Sequence, residues 1–403
     1  MSHSSTIISV AGDACVLRDV LVQAPLRPRP EARHFSADLC CQARLQHVEL
    51  VRALGQEGVR VRHFDELLAA ALGFADARDW LLERRVGECV DHAGRVTEIS
   101  AWLSEQPADV LTVCLINGMQ VSDLPSELGQ TIKGAGGHVG WVLCPLHDFG
   151  NLRRHLRVLG GNVAIAQPLP AARRAEAITV SAVLNFAPLF DDAKFDFWPT
   201  SDGADCDFPA IDGRDLAILG CGDIFIGAIT RATSVTALSA LTTALFEQNA
   251  VGHAFWVDLT GPDGRCLDDC LVALAPDCVI VDGAALEQAE VFRVCPAPRG
   301  EVLRITACDR AFLRELCASF SGGLKVIDVS QYPGAVGRAL AGLSPIVLAP
   351  GHILAFAEHE PAFEVLEQYG VTIACALNGS ALAHDCKGPR GLVTALLAGP
   401  APV

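Results

Sequence analysis

The sequence predicts a large α/β fold made of similar strand-rich modules arranged radially, and three observations carry that expectation. Short apolar runs bounded by Gly, Pro or Asp recur along the whole length, among them "VLVQAP", "LAILGCG" and "CVIVDG". Amphipathic segments with apolar residues at spacings of three and four lie between several of these runs. The order is strand, strand, helix, strand, repeated with variations, where a doubly wound sheet would alternate strictly.

In chain order, "VLVQAP" (20–25) and "VRVRHF" (59–64) read as strands on either side of the helical "QARLQHVELVRALGQEG" (42–58). Residues 64–130 differ. "FDELLAAALGFADARDWLLERRV" and "VTEISAWLSEQPADVL" have helical periodicity, so this stretch reads as a mostly helical insertion in which "VLTVCLI" (110–116) is the first strand. Further strands are expected at "VGWVLCP", "VAIAQP", "LAILGCG", "IFIGAI", "HAFWVDL", "CVIVDG", "LKVIDV", "IVLAPG", "ILAFAE" and "VTIACAL". The segments "VTALSALTTALFEQNA" and "EPAFEVLEQYG" read as helices stopped by Asn-Ala-Val-Gly and Tyr-Gly.

With 403 residues, 51% hydrophobic and 19% charged, the chain can bury a large core. No Ser/Gly-rich or Pro-rich linker divides it, so residues 1–403 are read as one body. A formal net charge of −16 opposes nucleic acid and anionic membranes, both of which need clustered Lys and Arg, and favours a small-molecule ligand. The first residues, "MSHSSTIISVAGDACV", lack the basic and apolar regions of a signal peptide, and no run of 18 apolar residues follows. A cytoplasmic protein is the expectation.

The 16 cysteines are scattered through apolar runs, and most are expected to be small buried hydrophobes. "CLDDC" (266–270) has no second Cys/His pair nearby, so no metal is expected. "GAGGHVG" (134–140) lacks the order of a phosphate-binding loop, so no nucleotide cofactor is expected either.

"IDGRDLAILGCGDIFIGAITRATSVTAL" (211–238) joins an acidic Gly-containing turn, two strands and a helix that opens at Thr/Ser. This segment resembles the E-G-G-D region of arginine deiminases, members of the guanidino-group-modifying (pentein, or amidinotransferase) superfamily. Other segments agree in order, including "LVQAPLRPRP", "LINGMQVSDLP", "AFWVDLTGPDGRCLDDCLVAL" and "KGPRGLVTALL". The resemblance implies a five-bladed α/β propeller of ββαβ modules around a central polar site, with the helical insertion of bacterial arginine deiminases.

It also implies a site that grips an amino acid at two ends. At the carboxylate end the family's two arginines map onto Arg173 of "PAARRAE" and Arg231 of "GAITRATS", and a planar guanidinium suits a carboxylate through paired charge-assisted hydrogen bonds. At the guanidine end Asp268 matches the aspartate of the family's H-L-D, while Asp212 and Asp215 stand where E-G-G-D begins and ends.

The reacting centre departs from the family. Cys266 replaces the general acid/base histidine, and Gly391, after Arg390, stands where G-P-R-C has its thiol. Arg153 takes the place of the guanidine-holding aspartate of F-T-R-D; one residue of slip gives Arg154 or Leu152 and restores no aspartate. His147 replaces an upstream asparagine. Without the thiol and the histidine, ordinary deimination should fail.

Three functions follow. The first is an enzyme of specialised metabolite biosynthesis acting on arginine or an N-hydroxylated arginine by non-covalent hydrolysis, elimination or rearrangement. The second is a catalytically inactive relative, a binding or regulatory partner that forms mixed oligomers with an active deiminase; a homo-oligomer is compatible with any of the three. The third is a deiminase that uses a displaced thiol, Cys386 or Cys266.

Overall fold

The first module begins with β1 (Ser9–Val10) and β2 (Val16–Val22), crosses through the amphipathic α1 (Ala37–Gln56) and returns in β3 (Arg60–His63), parallel to β2. Val20, Leu21 and Val22 have no solvent exposure, which fits a strand covered on both faces. The computed structural model describes residues 8–25, 37–90, 93–129, 140–146, 149–166, 174–191, 197–198, 209–297, 303–308, 312–382 and 388–400.

Helices α2 (Phe64–Ala71), α3 (Ala75–Gly87), α4 (Ala93–Ser104) and α5 (Ala108–Asn117) follow, then β4 (Met119–Gln120), α6 (Ser126–Gly129) and β5 (Trp141–Leu143). Here "VLTVCLI", expected as a strand, lies within α5. Leu111, Thr112, Leu115 and Ile116 are buried while Val110 and Val113 are exposed, a stripe with the helical repeat. Pro107 precedes the helix, and Gly118, at φ 78°, stops it in a conformation suited to glycine.

The remaining modules repeat one connection. The second has α7 (Leu152–His155), the antiparallel pair β6 (Leu156–Leu159) and β7 (Asn162–Ile165), then α8 (Arg174–Phe186) and β8 (Phe197–Trp198), parallel to β7. The third opens with a 3-10 turn, Gly213–Asp215, and continues as β9 (Leu216–Leu219), β10 (Ile224–Ile229), α9 (Val235–Glu247) and β11 (His253–Asp258). The fourth opens with α10 (Leu267–Cys270) and runs through β12 (Leu271–Ala275), β13 (Cys278–Val281) and α11 (Gly283–Glu287). A hairpin, β14 (Glu290–Pro296) and β15 (Leu303–Ala307), widens the third sheet before α12 (Phe312–Ala318) and β16 (Lys325–Asp328) complete the fourth.

The fifth comprises α13 (Gly334–Gly342), β17 (Ile346–Ala349), β18 (His352–Phe356), α14 (Phe363–Gln368) and β19 (Thr372–Leu377). A 3-10 turn, Pro389–Leu392, then leads into β20 (Val393–Gly399), which pairs antiparallel with β2 and parallel with β1. The first sheet is thus completed by a strand from the far end of the chain. Among the described residues, five sheets share an antiparallel pair followed by a helix and a parallel third strand.

Of the fourteen described cysteines, six are buried, six are half-buried, and Cys41 and Cys221 are exposed. The expectation that most are fully buried therefore does not hold for these residues. Half-burial follows from their places on helix faces and edge strands, as at Cys114 and Cys375. No helix among the described residues is long and apolar enough to cross a membrane.

Candidate functional site

Charged residues collect on the turns that lead into the first strands of the modules. Asp13 lies between β1 and β2, Arg153 and Arg154 on α7, Arg157 in β6, Asp212 and Asp215 at the 3-10 turn before β9, Asp268 on α10, and Arg390 before β20. The five-fold repetition of the connection brings these turns together although they are far apart in sequence.

Local chemistry fixes each turn. The Asp212 carboxylate accepts a hydrogen bond from the Arg214 amide (3.0 Å), and its own amide donates to Thr233 Oγ1 (2.9 Å). Gly213 is required by close approach: a Cβ there would run into the Arg153 carbonyl oxygen and lie 2.6 Å from Arg157 Cγ. At α10, Asp269 Oδ2 accepts from the Cys266 amide (3.1 Å) and lies 3.2 Å from its sulfur.

The centre is a knot of arginine and aspartate. Arg153 donates from Nε to Asp268 Oδ2 (2.6 Å) and from Nη2 to Asp268 Oδ1 (3.1 Å) and Asp13 Oδ1 (3.2 Å). Arg157 Nη2 donates to both Asp13 oxygens (2.9 and 3.2 Å) and to the Leu216 carbonyl (3.3 Å). Arg390 Nη2 lies 3.1 Å from Asp13 Oδ1, and its Nη1 lies 3.6 Å from Asp268 Oδ1, beyond a good hydrogen bond. The Ile218 amide also donates to Asp13 (2.8 Å). Arg153, Arg157 and Arg390 are buried, and the side chains of Asp13 and Asp268 are 4% and 10% exposed.

Ionisation in the knot follows from these contacts. Burial opposes the Asp13 charge, but Arg157, Arg153 and Arg390 outweigh it and hold the carboxyl well below its ordinary range. Burial likewise opposes the Arg153 charge, and Asp268 and Asp13 reverse that, so its pKa rises. Arg157 is pushed down to about 10 by burial and by repulsion from Arg153, against which Asp13 only partly compensates.

Beside the knot, Arg154 (3.1 Å) and Arg214 (2.9 Å) both pair with Asp212 Oδ2. Burial raises the Asp212 pKa, and hydrogen bonding and charge from Arg214 lower it further than that. Asp215 accepts from the Thr230 hydroxyl (2.7 Å), the Thr233 hydroxyl (2.6 Å) and the Leu267 amide (3.2 Å). Burial and the neighbouring Asp212 nevertheless push its carboxyl up to about 7.

The Cys266 thiol is raised well above its usual value by burial, which Arg214 opposes and Asp269, Asp268 and Asp215 reinforce. It is protonated near neutrality and a poor nucleophile there. Among the described residues no group of three or more His, Cys, Asp or Glu is placed to hold a metal ion.

Of the residues singled out from sequence, the structure brings Asp268, Arg153 and Arg390 into direct contact, and places Asp212, Asp215, Cys266 and Gly391 on the same set of turns. Arg231 is exposed on the bend between β10 and α9. His147, Arg173 and Cys386 lie outside the described residues.

Sequence reasoning missed Asp13, Arg157 and Arg214. The only local signals were Asp13 within "AGDAC" before a strand and Arg214 within the motif itself. A separate cleft of about 270 Å³, lined by Gln23, Arg44, Asp65, Glu66 and Asp109 among others, contains none of the knot's residues.

A sequence model described as arginine deiminase matches residues 36–397. An amidinotransferase from Microseira wollei in the saxitoxin biosynthetic pathway is similar in structure, at 13% identity and a TM-score of 0.56, covering 97% of each chain. Inosamine-phosphate amidinotransferase from Streptomyces griseus is similar at 12% identity and a TM-score of 0.53, covering 98% of each. The N-terminal domain of an arginine dihydrolase from the ornithine–ammonia cycle in cyanobacteria has 9% identity and a TM-score of 0.51, with 95% of this chain and 99% of that one covered. At these identities the likeness is one of fold, and the fold is the five-bladed α/β propeller of ββαβ modules.

Proposed function

The chain belongs to the arginine deiminase family, and from that premise we propose that it is a member in which thiol-dependent deimination has been lost and the central site serves binding or regulation. The observation that carries this reading is the pairing of Arg153 with Asp268 through two charge-assisted hydrogen bonds. Asp268 stands where the family's carboxylate would meet a substrate guanidine, and here the chain supplies the guanidinium itself. Asp212, the other such position, is taken by Arg214 and Arg154.

An arginine substrate would have to displace a buried internal arginine from one carboxylate and two more from the other. Buried pairs of this kind are strongly destabilised when one partner is left alone, so the exchange is unfavourable unless the substrate restores every contact. Gly391 offers no nucleophile, and Cys266 is held as the neutral thiol.

A specific observation favours the second reading, an enzyme acting on a less cationic guanidine such as an N-hydroxylated arginine. The Asp215 carboxyl, pushed up to about 7, can take or give a proton near neutrality. The test is incubation of the purified chain with L-arginine and with Nω-hydroxy-L-arginine, followed by mass spectrometry. No new product is expected; a product from either would refute the inactive reading and establish the enzyme.

A further inference from the structure

We propose that the centre of the fold has become an oxyanion site, in which Arg153, Arg157 and Arg390 receive a small carboxylate or phosphate compound where the family's guanidine cation would sit. This rests on the reading that the guanidine-holding carboxylates are occupied internally.

Charge is the first reason. In the knot, three guanidinium groups share the two carboxylates Asp13 and Asp268, leaving one positive charge in excess. Among the described residues the nearby carboxylates do not supply the balance: Asp212 is shared by Arg214 and Arg154, and the Asp215 oxygens take the Thr230 and Thr233 hydroxyls and the Leu267 amide. Arg157 responds as an incompletely paired buried cation would, its pKa pushed down to about 10.

Unmade hydrogen bonds are the second reason. Arg390 is 6% exposed, yet its Nη1 makes no hydrogen bond among the described residues, and neither does Nε of Arg157, which is 1% exposed. Buried guanidinium donors are normally satisfied, and a forked arginine matches the two oxygens of a carboxylate or phosphate. Arg390 also adjoins Gly391, which adds no side chain of its own to the turn. A net charge of −16 gives the chain no general attraction for anions, so binding must come from this local excess.

The experiment is calorimetric titration of the full chain, in chloride buffer at matched ionic strength, with succinate, inorganic phosphate and agmatine, a guanidine without a carboxylate. Saturable binding of succinate or of phosphate, one per chain and absent with added chloride, is expected, and the arm that responds identifies the oxyanion. Arg390→Met should weaken it about tenfold or more, the effect of losing a charge-assisted hydrogen bond. If that variant does not fold, Arg390→Lys keeps the charge without the fork and should weaken binding by a smaller factor. Silence from both oxyanions, or affinity unchanged in a folded Arg390 variant, overturns the proposal. Agmatine binding would instead overturn the occupied-site reading on which it rests, so the two failures are distinguishable.

Discussion

Replacing Arg153 by Met keeps an aliphatic stem of similar length in the core but removes the guanidinium between two modules. Asp13 would retain Arg157, Arg390 and the Ile218 amide as partners. Asp268 would lose contacts of 2.6 and 3.1 Å and keep, among the described residues, only the Arg390 nitrogen at 3.6 Å. The loss therefore falls on Asp268, whose side chain is 10% exposed, and breaking a buried pair from one side costs about 3–5 kcal/mol. The assay is urea denaturation at pH 7 of the wild type, Arg153→Met, Asp268→Asn and the double variant. The double variant should recover part of the loss, because it removes the stranded charge, giving an interaction energy of about 1–3 kcal/mol. A loss below about 1 kcal/mol, the range of exposed pairs, with additive single effects would refute the occupied-site argument.

Two further outcomes follow from the same geometry. Asp215 has a folded-state pKa of about 7 against an ordinary 3.8, so the folded chain holds a proton that the unfolded chain has released between those values. Stability from this group must fall as pH rises from about 4 to about 7, stay level above, and be unaffected below; urea midpoints at pH 5 and pH 7 should show a smaller drop in Asp215→Asn than in the wild type, and an equal drop would refute the assignment. Gly391→Cys restores the family's thiol without freeing Asp268 or Asp212, so incubation with L-arginine should yield neither citrulline nor a covalent amidino adduct by mass spectrometry; an adduct would show that the carboxylates are accessible after all.

Much of the architecture was legible because apolar runs bounded by Gly, Pro and Asp mark strands wherever both faces are covered, as in "LAILGCG" and "CVIVDG". "VLTVCLI" misled because its β-branched residues suit a strand, while the deciding information was which of its apolar residues face inward. Pro107 and Gly118 flank the helix, and the inward spacing of Leu111 and Leu115 agrees with them. At the site, the motif positions Asp212, Asp268 and Gly391 could be read, and so could the arginine in place of an aspartate at Arg153. That this arginine would pair with Asp268 could not be, since the two are 115 residues apart and meet only through the arrangement of modules. Asp13 was invisible for the same reason, as its partner Arg157 lies 144 residues away.

The pairing of β20 with β1 and β2 also sets a timetable for biosynthesis. Val22 cannot find Val393 until the residues between them have left the ribosome, roughly 20–75 s later at about 5–20 residues per second. During that interval one edge of β2 is open, with Val20, Leu21 and Val22 beside it lacking their final cover. The nascent chain therefore presents an adhesive strand edge that a chaperone or a neighbouring nascent chain can engage before the ring closes.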